Sequence, residues 1–259
     1  EFYPERDSKS VFTAKLTKAD GKPVKMSTEA EAKALVKALE AAHFSVAGIE
    51  EKEVKKNPAP PFTTSTLQQE AARKLHMSVS KTMTVAQQLY EGMEVGGEHQ
   101  GLITYMRTDS VNLSQGALGA IKELIVAEFG PEYALDEPRY YKSKKGAQEA
   151  HEAIRPVDVG HTPMDVKAHL DKDQYRLYEL IWKRAMACQM APAVFERMAV
   201  DIHDGGEKYE FRANGQRLKF PGFIKVYVES LDEPVEGEDD DDHFLPLLKE
   251  KEALRLNAL

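Results

Sequence analysis

In the run Gly101-Leu102-Ile103-Thr104-Tyr105-Met106-Arg107-Thr108-Asp109-Ser110, a phenol and a guanidinium stand two positions apart. The apolar residues ahead of them predict an extended segment, in which residues two apart point to the same face. Tyr105 and Arg107 would then project together. A phenolate is a nucleophile, and a fixed cation beside it favours its ionisation and steadies charge on a phosphate. The pairing suits attack on a phosphodiester. It also has an ordinary reading, in which the tyrosine packs with its hydroxyl at the surface and the arginine is a solvated charge. Spacing alone leaves both open.

A second group lies at His151-Glu152-Ala153-Ile154-Arg155-Pro156. A short helix predicted over 148–154 puts His151 and Arg155 on one face, able to grip a phosphate together. The plainer reading is a helix end with cations favoured by its dipole. The second histidine of a metalloprotease motif is absent, so metal ligation is not expected. Ser65 with Thr66, and Ser110, Asn112 and Ser114, stand at predicted helix starts. Such groups bind phosphate, and more commonly cap the helix. Tyr140, Tyr141, Lys142, Lys144 and Lys145 either stack bases and neutralise a backbone or form a solvated loop. Cys188 sits on an apolar helix face near Trp182 and is expected to be buried and inert. The run 236–242 holds six acids without the ligand alternation of a calcium loop and reads as solvated. No Ser-His-Asp set, phosphate-binding glycine loop or Asp-x-Asp pair stands out.

These groups need elements to hold them. Phe12, Ala14 and Leu16 alternate with Val11, Thr13 and Lys15, which predicts a half-buried strand over 10–18. A turn at Asp20-Gly21 and a second strand at Pro23–Met26 follow. Thr28 with Glu31 is a capping box for a helix bearing Ala32, Leu35, Val36 and Leu39. A strand runs from Phe44 to about Val54. The prolines at 58, 60 and 61 break the pattern and mark a semi-rigid joint. Beyond it, Ser65 with Gln68 predicts a capped helix and Ser80 caps another, a pair resembling a helix-turn-helix. Gly92, Gly96 and Gly97 close the section. Ser114 caps a helix ending at Gly130-Pro131, and Asp171 caps a long one running to Met190. From Val194 the period returns to two: a strand to Ile202, a turn at Gly205-Gly206, a strand over Tyr209–Ala213, a type I′ turn at Asn214-Gly215, and further strands through Val228. The expected fold class is α+β and multidomain. Residues 1–63 and 193–259 form a discontinuous β-rich domain, and 64–192 an inserted, mainly helical, helix-turn-helix-like domain bearing Tyr105.

Of the 259 residues, 42% are hydrophobic and 30% charged, as in a soluble globular protein with room for one large or two ordinary domains. The net charge of −8 weighs against a dedicated nucleic-acid-binding module, although only local charge informs a site. No apolar run approaches the ~20 residues of a membrane span. The start, Glu-Phe-Tyr-Pro, has neither a basic leader nor an initiator Met, so a fragment or processed product is expected. The single cysteine excludes an internal disulfide and a zinc ribbon and fits a reducing cytoplasm.

Three blocks in order, Pro60 to Ala71, Gly101 to Ser110 and Glu149 to Pro156, resemble the bacterial type IA DNA topoisomerases, with Met106 as in the topoisomerase I form. The resemblance implies that Tyr105 attacks a phosphodiester of single-stranded DNA. It would form a 5′-phosphotyrosine link that is resealed after strand passage, relaxing negative supercoils without ATP. It makes Tyr105 and Arg107 catalytic, and His151, Arg155, Thr108, Asp109, Ser110 and Ser65 contacts to DNA. The β-rich part becomes an arch and the helical part a gate that lifts away about the proline joint. In this family Mg²⁺ and the acid/base carboxylates belong to an N-terminal Toprim domain, and zinc ribbons to the C-terminus. Neither has a counterpart here. The fragment is therefore expected to carry no cofactor, with Mg²⁺ used by the full-length enzyme, and to bind single-stranded DNA without relaxing it. Single-stranded or negatively supercoiled DNA is the expected partner, with no membrane. A monomer associated with the cytoplasmic nucleoid is expected. Two other classes remain: a non-catalytic helix-turn-helix binder of nucleic acid, and a structural adaptor.

Overall fold

Seven strands, in the order β1-β9-β4-β7-β8-β2-β3, form one sheet. Their ranges are β1 Phe2–Pro4, β2 Lys15–Ala19, β3 Lys22–Pro23, β4 Phe44–Lys56, β7 Ala193–Asp204, β8 Tyr209–Phe220 and β9 Ala253–Leu256. A small hairpin, β5 Met93–Val95 with β6 Glu98–Gln100, stands apart from it. The helices are α1 Glu29–Glu40, α2 Thr64–Glu70, α3 Val79–Glu91, α4 Gln115–Phe129, α5 Pro163–Val166 and α6 Lys172–Ala187. This computed structural model describes residues 1–95, 97–142, 151–228 and 245–259. The fold is mixed α and β with a large antiparallel sheet, the expected class. No described helix is long and apolar enough to cross a membrane.

The chain divides into two compact units, Glu1–Lys55 with Val194–Lys219 and Pro234–Leu259, and Lys56–Ala193 with Phe220–Glu233. The first is the sheet with α1. Its core is built from strand residues that alternate inward, as period two requires. Phe2, Phe44 and Phe211 meet edge-on, with centroids 5.0 to 5.5 Å apart. Leu39 reaches this core from α1, whose start is fixed by the expected box: Thr28 accepts from the Glu31 amide and Glu31 from the Thr28 amide. Val11 is exposed and Phe12 buried, as their alternation predicts. The second predicted strand shrinks to Lys22–Pro23; the Val24 amide still donates to the Thr17 carbonyl at 3.3 Å, and the residues after it leave the ladder.

The second unit is helical. Leu89 and Val85 from α3, Ile121 and Ile125 from α4, and Leu177, Ile181 and Ala185 from α6 are buried. Gln174 donates to Gln88, joining α6 to α3 at 3.2 Å. Asp171 and Ser114 cap α6 and α4 as expected. Two caps differ. Thr63, not Ser65, begins α2, trading hydrogen bonds with Thr66, and Ser78, not Ser80, begins α3. In each case a hydroxyl two residues earlier reaches the free amides first. A π turn, Ala71–Leu75, links α2 to His76, whose φ of 57° ends the helix before α3.

Four expected elements take another form. Gly101–Ser110 forms no strand beyond one isolated bridge of Ile103 to Pro156, made by the Val157 amide to Leu102 and the Thr104 amide to Arg155; on either side of it the backbone turns to other partners, Leu102 to Leu89 and Thr108 to Thr64. Residues 151–154 are extended, with Ile154 bridging Phe62; Gln148 to Ala150 of the predicted helix lie outside the described residues. Asn214-Gly215 makes no turn. Neither has a positive φ, and β8 runs straight through them. The last predicted strand, after Phe220, is a 3₁₀ turn over Gly222–Lys225, where a Cβ on Gly222 would meet the Ala191 and Pro192 carbonyls within 2.5 Å.

The unit bounds also depart from the expected 63/64 and 192/193. Residues 56–62 belong with the helices because their carbonyls are held there. Tyr141 donates to Pro58 and Ala59, Arg184 donates to Pro60 at 2.6 Å, and Phe62 is fully buried. The boundary between the two units therefore falls before the prolines, between Lys55 and Lys56. The segment after β8 returns to the same unit. Phe220 packs on Tyr133 at 4.8 Å, and Tyr227 donates to buried Glu70 at 2.6 Å. Burial, then the bond to Glu70, pushes the Tyr227 phenol up, so it remains the proton donor of that pair. The predicted basic-aromatic loop loses a member the same way: Tyr141 spends its hydroxyl on interior carbonyls. Lys144, Lys145, the acidic run 236–242 and Gly96 lie outside the described residues.

Candidate active site

Thr104 is locked on both sides of the chain. Its hydroxyl donates to the Ala153 carbonyl at 2.6 Å and its amide to the Arg155 carbonyl at 2.9 Å. Met106 is fully buried, and its carbonyl accepts from the Thr64 hydroxyl at 2.8 Å. Tyr105 lies between these two anchored residues and has nowhere to go but out. It is 44% exposed, and its ring rests edge-on against Tyr90, 5.3 Å away at 63°. Exposure alternates onward: Arg107 and Asp109 are exposed, Thr108 and Ser110 buried. Tyr105 and Arg107 are both exposed, although no strand places them.

Arg107, Asp109 and His151 line one open depression of about 550 Å³, with Thr64, Ser65 and Gln68 from the start of α2. The Tyr105 ring is not among its walls. Arg107, Asp109 and His151 make no ion pair among the described residues. An anion entering the depression meets a guanidinium, an imidazole, the Ser65 hydroxyl and also the Asp109 carboxylate.

Three of the expected DNA contacts are placed differently. Ser110 is fully buried and its hydroxyl accepts from the Asn112 amide. Thr108 borders the depression, but its hydroxyl accepts from the Ser110 amide. Both shape the turn from within. Arg155 does not share a face with His151, since no helix joins them. Its guanidinium donates to Glu152 at 2.7 Å and to the carbonyls of Pro156 and Val157. Glu152 in turn accepts from the Ser114 amide at 2.6 Å. Burial pushes the Glu152 carboxyl up, but the bonds from Ser114 and Arg155 outweigh it and hold the carboxyl below its ordinary range. Cys188 is fully buried, and burial pushes its thiol up to about 12.

Residues 5–259 match the sequence model of a family described as DNA topoisomerase. The chain belongs to the DNA topoisomerase family. The DNA topoisomerase 1 of Rickettsia bellii is 48% identical over 253 residues, 96% of this chain and 31% of that protein. That of Rickettsia felis is 48% identical over 98% of this chain and 33% of its own length. The full-length topoisomerase I of Thermotoga maritima shares the fold with a TM-score of 0.68 at 35% identity, over 91% of this chain and 36% of that one. The chain thus spans about a third of these topoisomerases.

Two residues at this depression carry no functional signal in the sequence by themselves. Thr64 accepts from the Thr108 amide and donates to the Met106 and Thr108 carbonyls, and so pins the loop bearing Arg107. Gln68 lines the depression. Both lie inside the Pro60–Ala71 block, which was the available signal. Among the described residues no group of three or more His, Cys, Asp or Glu could hold a metal ion, and Asp109 is the one carboxylate lining the depression. The described residues lining the depression do not fit a Mg²⁺ site.

Proposed function

We propose that this chain supplies the nucleophile and phosphate-binding groups of a longer type IA DNA topoisomerase. Tyr105 attacks a phosphodiester of single-stranded DNA. Its phenolic oxygen forms the bond to phosphorus, and the 3′ oxygen leaves with a proton, giving a 5′-phosphotyrosine link. The returning 3′ hydroxyl reverses the exchange and releases the phenol. One phosphoester is traded for another at each step, so no ATP is consumed. Arg107 and His151 bind the non-bridging oxygens, Ser65 and Gln68 orient the phosphate, and Asp109 borders the same depression. Between cleavage and resealing the other strand passes, and negative supercoils relax. Arg155 acts through Glu152 on the loop rather than on DNA. Mg²⁺ and its carboxylates belong to parts of the longer protein outside this chain. The chain alone binds single-stranded DNA weakly and relaxes nothing.

The observation that supports this most is the outward Tyr105 ring between two immobilised neighbours, two residues from a free guanidinium that shares a depression with His151. The test is a Tyr105→Phe change in the full-length protein. It should abolish the covalent DNA adduct in denaturing gels while leaving oligonucleotide affinity within about twofold. An adduct of undiminished yield places the nucleophile elsewhere.

A further inference from the structure

We infer that Tyr90 is a positioning residue for the Tyr105 nucleophile. The inference rests on the reading of Tyr105 given above.

Tyr90 stands at the end of α3, one residue after fully buried Leu89. The residue is 40% exposed, so its place is not explained by core packing. What its ring touches is Tyr105, at 5.3 Å and 63°, close to the edge-to-face arrangement aromatic pairs prefer. The backbone is shaped to bring the two together. Leu102 donates to the Leu89 carbonyl at 2.8 Å, and a Cβ on Gly101 would lie 2.6 Å from the Tyr90 carbonyl oxygen. Only glycine permits that approach, because the obstacle is backbone and cannot turn aside. The end of α3 and the Tyr105 loop are therefore docked main chain to main chain.

An exposed tyrosine ordinarily samples several χ1 wells. The Tyr90 ring occupies one side of the Tyr105 ring and narrows that choice. Neither phenol oxygen has a hydrogen-bond partner among the described residues, so the restraint falls on the ring and leaves the attacking oxygen free. This is preorganisation, and it acts on the rate of the chemical step rather than on DNA affinity.

The experiment uses the full-length protein and a labelled single-stranded oligonucleotide at saturating concentration. Adduct formation is followed in a single turnover beside affinity and melting temperature. Tyr90→Ala should slow adduct formation ~3–10-fold, the range a lost aromatic pair supports. Affinity and melting temperature should stay near wild type. Tyr90→Phe, which keeps the ring, should restore the rate. Tyr90→Leu, which keeps bulk without a ring edge, should fall between, and replaces the alanine variant should that one not fold. An unchanged rate in Tyr90→Ala overturns the inference. So does a loss of affinity with an unchanged saturated rate, which makes Tyr90 a base contact, and so does failure of Tyr90→Phe to rescue. Tyr105→Phe run in parallel separates the two claims: an adduct surviving that change removes the nucleophile assignment itself, whereas an adduct lost there and unchanged in Tyr90→Ala removes only the role of Tyr90.

Discussion

Arg107 holds its charge at the surface without an acidic partner, and His151 stands across the same depression. A cation left unpaired at the surface is unspent binding capacity for an anion. Arg107→Ala in the full-length protein should lower the single-turnover cleavage rate about 10²-fold, the scale of removing one donor to developing charge. Arg107→Lys should recover only part, since an ammonium cannot bind two phosphate oxygens in a fork. Equal rates for Ala and wild type would remove Arg107 from the chemistry. Glu152 works at the same scale but through structure. Its folded carboxyl binds a proton less readily than the unfolded one, so its contribution is complete above the ordinary carboxylate range and is lost as pH falls through the lowered folded value. Glu152→Gln should therefore cost about 1–2 kcal/mol near pH 7, and the gap to wild type should close as pH falls below the ordinary carboxylate range and through the lowered folded value, as read by denaturant titration. A gap independent of pH would contradict the assignment.

At the scale of elements, the site is held by side chains that span segments. The loop with Arg107 belongs to neither helix nor strand, and the start of α2 fixes it through one threonine. Thr64→Val leaves the buried Thr108 amide without that acceptor and releases the Met106 carbonyl. Calorimetry should show a loss of about 1–3 kcal/mol, and the Arg107 loop should gain amide exchange while α6 does not. Uniform exchange across the unit would mean that Thr64 supports the whole unit rather than the loop. The same logic explains why the predicted strand failed here. Apolar residues at Leu102 and Ile103 mark burial, which any buried backbone satisfies. Whether a ladder forms depends on one continuous partner, and this segment has several separate ones.

For the chain as a whole, the division into units follows contacts rather than composition. Phe62 and the Pro60 carbonyl at one end, and Tyr227 at the other, complete the helical unit. A protein of residues 64–192 should therefore melt well below one of residues 56–233 in which 194–219 is replaced by a short Gly-Ser linker. It loses the acceptor of Arg184, the hydroxyl that bonds Glu70 and a fully buried phenylalanine, and burial of a phenylalanine alone is worth about 3–5 kcal/mol against alanine. Equal melting temperatures would show that these flanks only decorate the unit.

Local signals were legible where the physics is local. Thr28 with Glu31, Ser114 and Asp171 cap helices through bonds that close within three residues, so the residue types sufficed. The order of the blocks around Pro60, Tyr105 and His151 placed the chain in its family. Thr63 displaced Ser65 because several hydroxyls in a row could each cap, and packing chose among them. Only the tertiary structure decided that Arg155 turns to Glu152, that Ser110 is sealed, that Asn214-Gly215 stays in a strand, and that Tyr90 stands beside Tyr105. Arg155 finds its partner only three residues back, but Glu152 is held there by the Ser114 amide 38 residues earlier. Tyr105 reaches Tyr90 across an intervening hairpin, and β8 is held by neighbouring strands. A one-dimensional pattern carries no record of which of these atoms will meet.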